Sequence, residues 1–177
     1  MDKERTYRKL IIRDDLTSFQ VMVKETDLWV HAEKNLERET RELVLKYRAY
    51  IESYIERHPE FVKTLKPWYP TGPTPKIIMD MAEAGQRAGV GPMAAVAGVI
   101  AEYVGKDLLA SSKEVIVENG GDIFVKLNRP FISSIYAGDS ALSLKIGMRV
   151  DTAGKPVGVC TSSGTIGHSF SKGKSET

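Results

Sequence analysis

The stretch Glu114-Val-Ile-Val-Glu-Asn-Gly-Gly-Asp-Ile-Phe-Val-Lys-Leu127 decides the fold. Two apolar runs flank Asn119-Gly120-Gly121. Asn-Gly is a favoured hairpin turn because its residues tolerate positive φ. Near the start of the chain, residues 6–31 carry a matching pattern. Phe19-Gln-Val-Met-Val-Lys alternates large apolar side chains with others, Glu25-Thr-Asp breaks it, and Leu28-Trp-Val-His-Ala resumes it. A second hairpin is the economical interpretation.

Between the two hairpins the period changes. From Glu33 onward Leu36, Leu43, Val44, Tyr47, Tyr50, Ile51, Tyr54 and Ile55 recur at three- and four-residue steps, with charged residues on other faces. This predicts an amphipathic helix ending near His58 and Pro59, since a proline disfavours helical geometry in the residue before it. The tyrosine stripe could stack a ligand, but its spacing suits core packing. Residues 66–75, Lys-Pro-Trp-Tyr-Pro-Thr-Gly-Pro-Thr-Pro, form a connector in which Trp68 and Tyr69 either cover the core or make a lid. A second helical region covers 76–88 and 93–109, broken by Gly89-Val-Gly-Pro92; Pro92 suits a first helical turn. Further strands are expected over 131–136, 142–146 and 157–161. The order is ββ-α-α-ββ followed by more strands, an α+β fold with no short tandem repeat.

A chain of 177 residues suits one compact domain, or two tightly packed halves. At this size it buries about 70% of its unfolded surface and needs no disulfide or structural metal to hold a core. The single cysteine, Cys160, excludes an internal disulfide, fits a reducing compartment and reads as a small buried hydrophobe. A formal charge of +2, from 25 basic and 23 acidic residues, is too balanced for nucleic acid as the main partner. Leu10-Ile11-Ile12 is cut short by Arg13-Asp14-Asp15, and no run approaches the roughly 20 apolar residues of a membrane helix. A cytoplasmic protein is expected, with no membrane partner.

Three segments could carry chemistry. In Gly89-Val-Gly-Pro-Met-Ala-Ala-Val-Ala-Gly98, a helix start offers unpaired N–H groups and a positive dipole end to phosphate. Its small side chains equally allow tight helix packing, and the spacing is not the dinucleotide fingerprint. In Val117-Glu-Asn-Gly-Gly-Asp-Ile-Phe124, the glycines either make a turn or open the backbone to a flat ligand, with Asp122 at the mouth. In Cys160-Thr-Ser-Ser-Gly-Thr-Ile-Gly-His168, hydroxyls, glycines and an imidazole could hold phosphate oxygens. Nucleophilic hydrolysis there would need an orienting third group that the sequence does not identify. Cys160 and His168 alone do not make a metal site.

Together these strings carry a resemblance. Thr26-Asp-Leu-Trp-Val, Gly91-Pro-Met-Ala-Ala-Val-Ala-Gly, Glu118-Asn-Gly-Gly-Asp-Ile and Gly158-Val-Cys-Thr-Ser-Ser-Gly-Thr-Ile-Gly-His-Ser resemble the UPF0280 group of the ApbE-like superfamily, over about residues 6–174. The group is related more loosely to the FAD:protein FMN transferases, through a Gly-Gly-Asp hairpin like Gly120-Gly121-Asp122 and a Thr-Ser-Gly strand end like 161–164. The resemblance implies a T-fold-type architecture with a ββααββ unit used twice, the first over about 6–127 and the second over about 128–177. It also implies magnesium-dependent transfer of FMN from FAD to a protein threonine.

Two departures stand against simple transfer. The transferases' Ala-Lys-Gly-Tyr string is replaced by Ala94-Ala-Val-Ala-Gly98, and the chain ends at Thr177 before their Asp-Ala…Ala-Thr metal segment. The second half is therefore expected to be incomplete as given, with no metal residue carried over. Apolar surface left by the missing helix is expected to be exposed or covered by another copy. The site implied by the resemblance joins Gly91, Ala94, Ala95 and Gly98, the turn Asn119, Gly120 and Gly121, and Thr161, Ser162, Ser163 and Gly164. Asp122 and His168 are its polar, candidate catalytic groups. FAD and magnesium are the cofactors implied, and an acceptor protein or a homo-oligomer the partners. The rival is a non-catalytic protein that binds a partner or metabolite, with a helper role in sulfur or homocysteine metabolism of anaerobes.

Overall fold

The computed structural model describes residues 15–135 and 140–160. The elements are β1 (Thr17–Val23), β2 (Thr26–Ala32), α1 (Glu37–Arg57), α2 (Glu60–Lys63), α3 (Lys76–Ala88), a 3-10 turn (Pro92–Ala95), α4 (Val96–Leu108), β3 (Val115–Asn119), β4 (Asp122–Lys126), β5 (Phe131–Ser134), β6 (Gly147–Val150) and β7 (Val157–Val159). The fold is mixed α+β. A five-stranded antiparallel sheet runs β1-β2-β3-β4-β7, and β5 and β6 pair as a separate two-stranded sheet. Over 17–126 the hairpin, helices, hairpin order agrees with the sequence pattern.

The alternation of the strands sorts their side chains onto two faces. Phe19, Val21, Leu28, Val30, Val115, Val117 and Phe124 pack under the helices, with Val44, Tyr47, Ile51 and Tyr54 of α1 and Val99, Ile100, Val104 and Leu108 of α4. On the other face Ile116, Val125 and Leu127 join Leu16, and Ile123, Phe131, Val157 and Val159 pack against them. This second cluster explains why β3 is buried along its whole length. The tyrosine stripe of α1 is core, apart from Tyr50, which is exposed.

Two glycines set the path from α3 to α4. Gly89 caps α3 in the left-handed region at φ +68, where a side chain would be strained. Gly91 lies so close to the 64–65 backbone that a Cβ would sit 1.9 Å from the Thr64 carbonyl oxygen. The proline-rich connector is stapled to the same region. Trp68 Nε1 donates to Tyr54 Oη at 3.0 Å, its ring meets Phe61 edge-on, and Gln86 Nε2 donates to the Trp68 carbonyl. Trp68 covers the core, and Tyr69 is 70% exposed.

The structure corrects several sequence-based boundaries. The helix expected from Glu33 begins at Glu37, and a short α2 follows Pro59. Residues 142–146 are not a strand. Lys145 N–H donates to the Leu142 carbonyl, Leu144 takes φ +61, and the strand that pairs with β5 is β6, just beyond. The alternating Leu142, Leu144 and Ile146 mimic a half-buried strand, but all three are exposed. Together with Ile132 and Met148 they leave the β5–β6 region with an uncovered apolar surface. No single helix among the described residues is long and apolar enough to cross a membrane.

Candidate functional site

The turn between β3 and β4 is a two-residue turn. Asn119 pairs with Asp122, and Gly120 and Gly121 both take positive φ, at 63° and 103°. That geometry matches the right-handed twist of the flanking strands and is open to glycine without strain. The two glycines therefore form the turn itself, and Asn119 is the last strand residue.

Asn119, only 8% exposed, uses its side chain to tie this turn to the helix start. Its Nδ2 donates to the Ala97 carbonyl of α4 at 3.0 Å. One residue on, a Cβ at Gly98 would have the Asp122 side chain as its nearest neighbour, at 3.8 Å. The helix start and the Gly-Gly turn, more than 20 residues apart, thus share one surface. Ala94 and Gly120 are exposed there, and Ala95, Gly98 and Gly121 are partly so. Gly91 is turned toward the 64–65 backbone, and packing alone accounts for it.

Glu118 lies on the other face of the sheet. It is 2% exposed, and its Oε1 accepts the Gly121 N–H at 2.8 Å. Burial pushes the Asp122 carboxyl above the usual range, and the charge of Glu118 adds to the rise. Ionising Asp122 therefore opposes folding. Its stabilising contribution is complete below the ordinary carboxylate range and is lost as pH rises through the raised value.

The third segment reaches the same place at its first residue. In β7 Val159 pairs with Ile123, so the register sets Cys160 against Asp122. Cys160 is exposed as a residue, yet partial desolvation of its thiol and then the Asp122 charge hold its pKa up. This corrects the expectation of a buried hydrophobe. Thr161, Ser162, Ser163, Gly164 and His168 lie outside the described residues.

The Cys160 geometry makes a direct prediction. Alkylation by iodoacetamide near neutral pH is expected to be slower than for an unperturbed thiol, because the thiolate reacts. Asp122→Asn removes the neighbouring charge and is expected to speed it. An unchanged rate would mean that the two side chains do not interact.

The sequence pattern singled out the turn, Asp122 and Gly98, which the structure brings side by side, but not Glu118 or the part played by Ala97. A carboxylate inside an apolar strand, one residue before the turn, was the available signal for Glu118. Ala97 contributes a backbone carbonyl, which no side-chain pattern reports. Two depressions, of about 530 Å³ beside 34–41 and about 220 Å³ among Glu39, Glu42, Leu43, Asp107, Leu108 and Ser111, include none of the candidate residues.

Comparison with known proteins gives a consistent result. A family model described as AbpE bacteria matches residues 8–177. The chain is similar to a UPF0280 protein of Methanococcus aeolicus, at 42% identity over 96% of this chain and 66% of the relative. It is 38% identical to one from Methanocaldococcus jannaschii, over 89% of this chain and 65% of the relative. A third, from Methanopyrus kandleri, is 37% identical over 90% of this chain and 64% of its own length. The chain thus spans about two thirds of the length of these relatives.

Proposed function

The chain belongs to the family described as AbpE bacteria, with UPF0280 proteins among its relatives, and on that premise we propose that it binds a flavin nucleotide, FAD, on the ledge between Gly98 and Asp122. One observation carries the proposal. The small-sided helix start and the Gly-Gly turn are held together by the Asn119 to Ala97 hydrogen bond, and the partly exposed Gly98 leaves the Asp122 carboxyl uncovered by any side chain of its own, since a Cβ there would lie in contact with it at 3.8 Å.

The parts supply complementary chemistry. The positive end of the α4 dipole suits phosphate oxygens beside Ala94 and Ala95, although the Ala94 N–H itself is spent on the Gly91 carbonyl. The bare backbone of Gly120 and Gly121 allows close approach by a flat ring. Thr161, Ser162, Ser163, Gly164 and His168, which follow β7 in sequence, are assigned to the same ligand as hydroxyl, backbone and imidazole donors. On this reading 17–126 is one T-fold-like ββααββ unit, and the strands after it belong to a second.

Transfer of FMN from FAD to a protein threonine is the reaction that the resemblance adds. Magnesium in such a reaction shields the pyrophosphate charge. Among the described residues no group of three or more His, Cys, Asp or Glu side chains is placed to hold a metal. These residues do not fit a metal centre.

A partner-binding reading has its own observation, the exposed Ile132, Leu142, Leu144, Ile146 and Met148. Titration with FAD, FMN and ADP separates the two. Saturable FAD binding is expected, with FMN and ADP weaker because each fills only part of the ledge. No saturable binding of any of the three, in a chain of the relatives' full length, would put partner binding ahead.

A further inference from the structure

Glu118 is a charged side chain on an interior strand, 2% exposed, and neither the Ala97–Asn119 staple nor the open ledge needs a carboxylate at that position. We propose that Glu118 is a positioning residue for the candidate site, holding the Gly-Gly turn and Asp122 in place from the opposite face of the sheet. The proposal rests on the reading of the Gly98 and Asp122 ledge as a nucleotide site.

Alternation along β3 points Val117 and Asn119 toward the helices and Glu118 away from them. The carboxylate nevertheless reaches forward to the turn, where its Oε1 accepts the Gly121 N–H at 2.8 Å. A charged acceptor makes a stronger hydrogen bond than a neutral one. Gly121 is the residue immediately before Asp122, so this bond restrains the Gly120–Gly121 peptide, the centre of the turn, one peptide away from Asp122. Asn119 fixes the same turn from the helix side. The turn is thus pinned from both faces of the sheet, by side chains at consecutive positions.

The electrostatics give this restraint a functional consequence. Among the described residues, few titratable groups lie near Asp122. Glu118 comes from β3, Cys160 from the end of β7, and α4 brings Gly98, with no titratable side chain before Glu102. Burial and then Glu118 both disfavour the charged form of Asp122. A carboxylate beside a nucleotide phosphate repels it, whereas a protonated carboxyl can donate a hydrogen bond to a phosphate oxygen. Glu118 therefore shifts Asp122 toward the form that accepts an anionic ligand. Anion binding should strengthen as pH falls through the Asp122 midpoint and weaken as pH rises through it.

The test reads Asp122 directly. The side-chain carboxyl ¹³C resonance of Asp122 is titrated in the wild type and in Glu118→Gln, which keeps an oxygen acceptor for Gly121 and removes the charge. The midpoint is expected to move to lower pH in the variant, while the Gly121 amide stays slow to exchange with solvent. The pH dependence of FAD binding should move the same way. A purely structural role predicts no midpoint shift in a folded Glu118→Gln, and that result would overturn the proposal. Should the variant not fold, the wild type still decides. A slowly exchanging Gly121 amide whose shift follows the Asp122 titration supports the coupling, and a rapidly exchanging one refutes it. These readings need no nucleotide, so failure of the wild type to bind FAD counts against the flavin site alone.

Discussion

Gly105→Ala is expected to lower the melting temperature by roughly 2–8 °C. Gly105 sits on the buried face of α4, directly over the Phe124 ring. A Cβ there would lie 2.1 Å from Cδ1, 2.5 Å from Cε1 and 2.7 Å from Cγ of that ring. Phe124 is 3% exposed and packed in the main core, so the ring has little room to yield. Overpacking of this kind costs about 1–3 kcal/mol, and occasionally more. Alanine would recover up to ~1 kcal/mol of helix propensity, which the clash is expected to exceed. A second change, Phe124→Leu, should restore part of the loss in the Gly105→Ala background while being destabilising alone. Thermal unfolding of the four proteins measures this. Additive effects would mean that the helix and strand are not in contact at that point.

Gly98→Leu is expected to weaken FAD binding by more than about tenfold, ~1.4 kcal/mol, while leaving the fold intact. Gly98 is two turns before Gly105 on the same helix, but its surroundings differ. A Cβ there meets nothing nearer than the Asp122 carboxyl group at 3.8 Å, an ordinary contact. The small substitution Gly98→Ala should therefore be neutral or stabilising by up to ~1 kcal/mol, opposite in sign to the same change at Gly105. The branched leucine side chain would cover the ledge between the helix start and the turn. Equal FAD affinity in the wild type and Gly98→Leu, with both folded, would remove Gly98 from the site.

The contrast between these glycines shows what the sequence could reveal. The hairpin at Gly120 and Gly121 was legible because its turn residues and its alternating strands agree. The helices were legible because Val44, Tyr47, Ile51 and Tyr54 keep a helical period and are all buried. Local pattern failed where burial was missing. Leu142, Leu144 and Ile146 alternate like a strand, but all three are exposed, and backbone turns set that segment instead.

The run from Gly89 to Gly98 read as a single small-sided motif, and the fold divides it. Gly89 ends a helix, Gly91 admits the 64–65 backbone, and Gly98 alone faces Asp122. Identical residues took different roles because those roles depend on segments far away in the chain. Glu118 was missed for the same reason. Its importance lies in a bond to a backbone N–H across the turn and in a charge felt through the sheet. Neither is visible in residue order.

The central claim is that the helix start and the Gly-Gly turn form one nucleotide site, and the most direct measurement is a titration of the ¹⁵N-labelled protein with FAD, followed at each amide. The account predicts that Ala95, Gly98, Gly121 and Asp122 move together, with one saturation curve. Saturable shifts confined to residues away from both segments, or movement of one segment without the other, would contradict it.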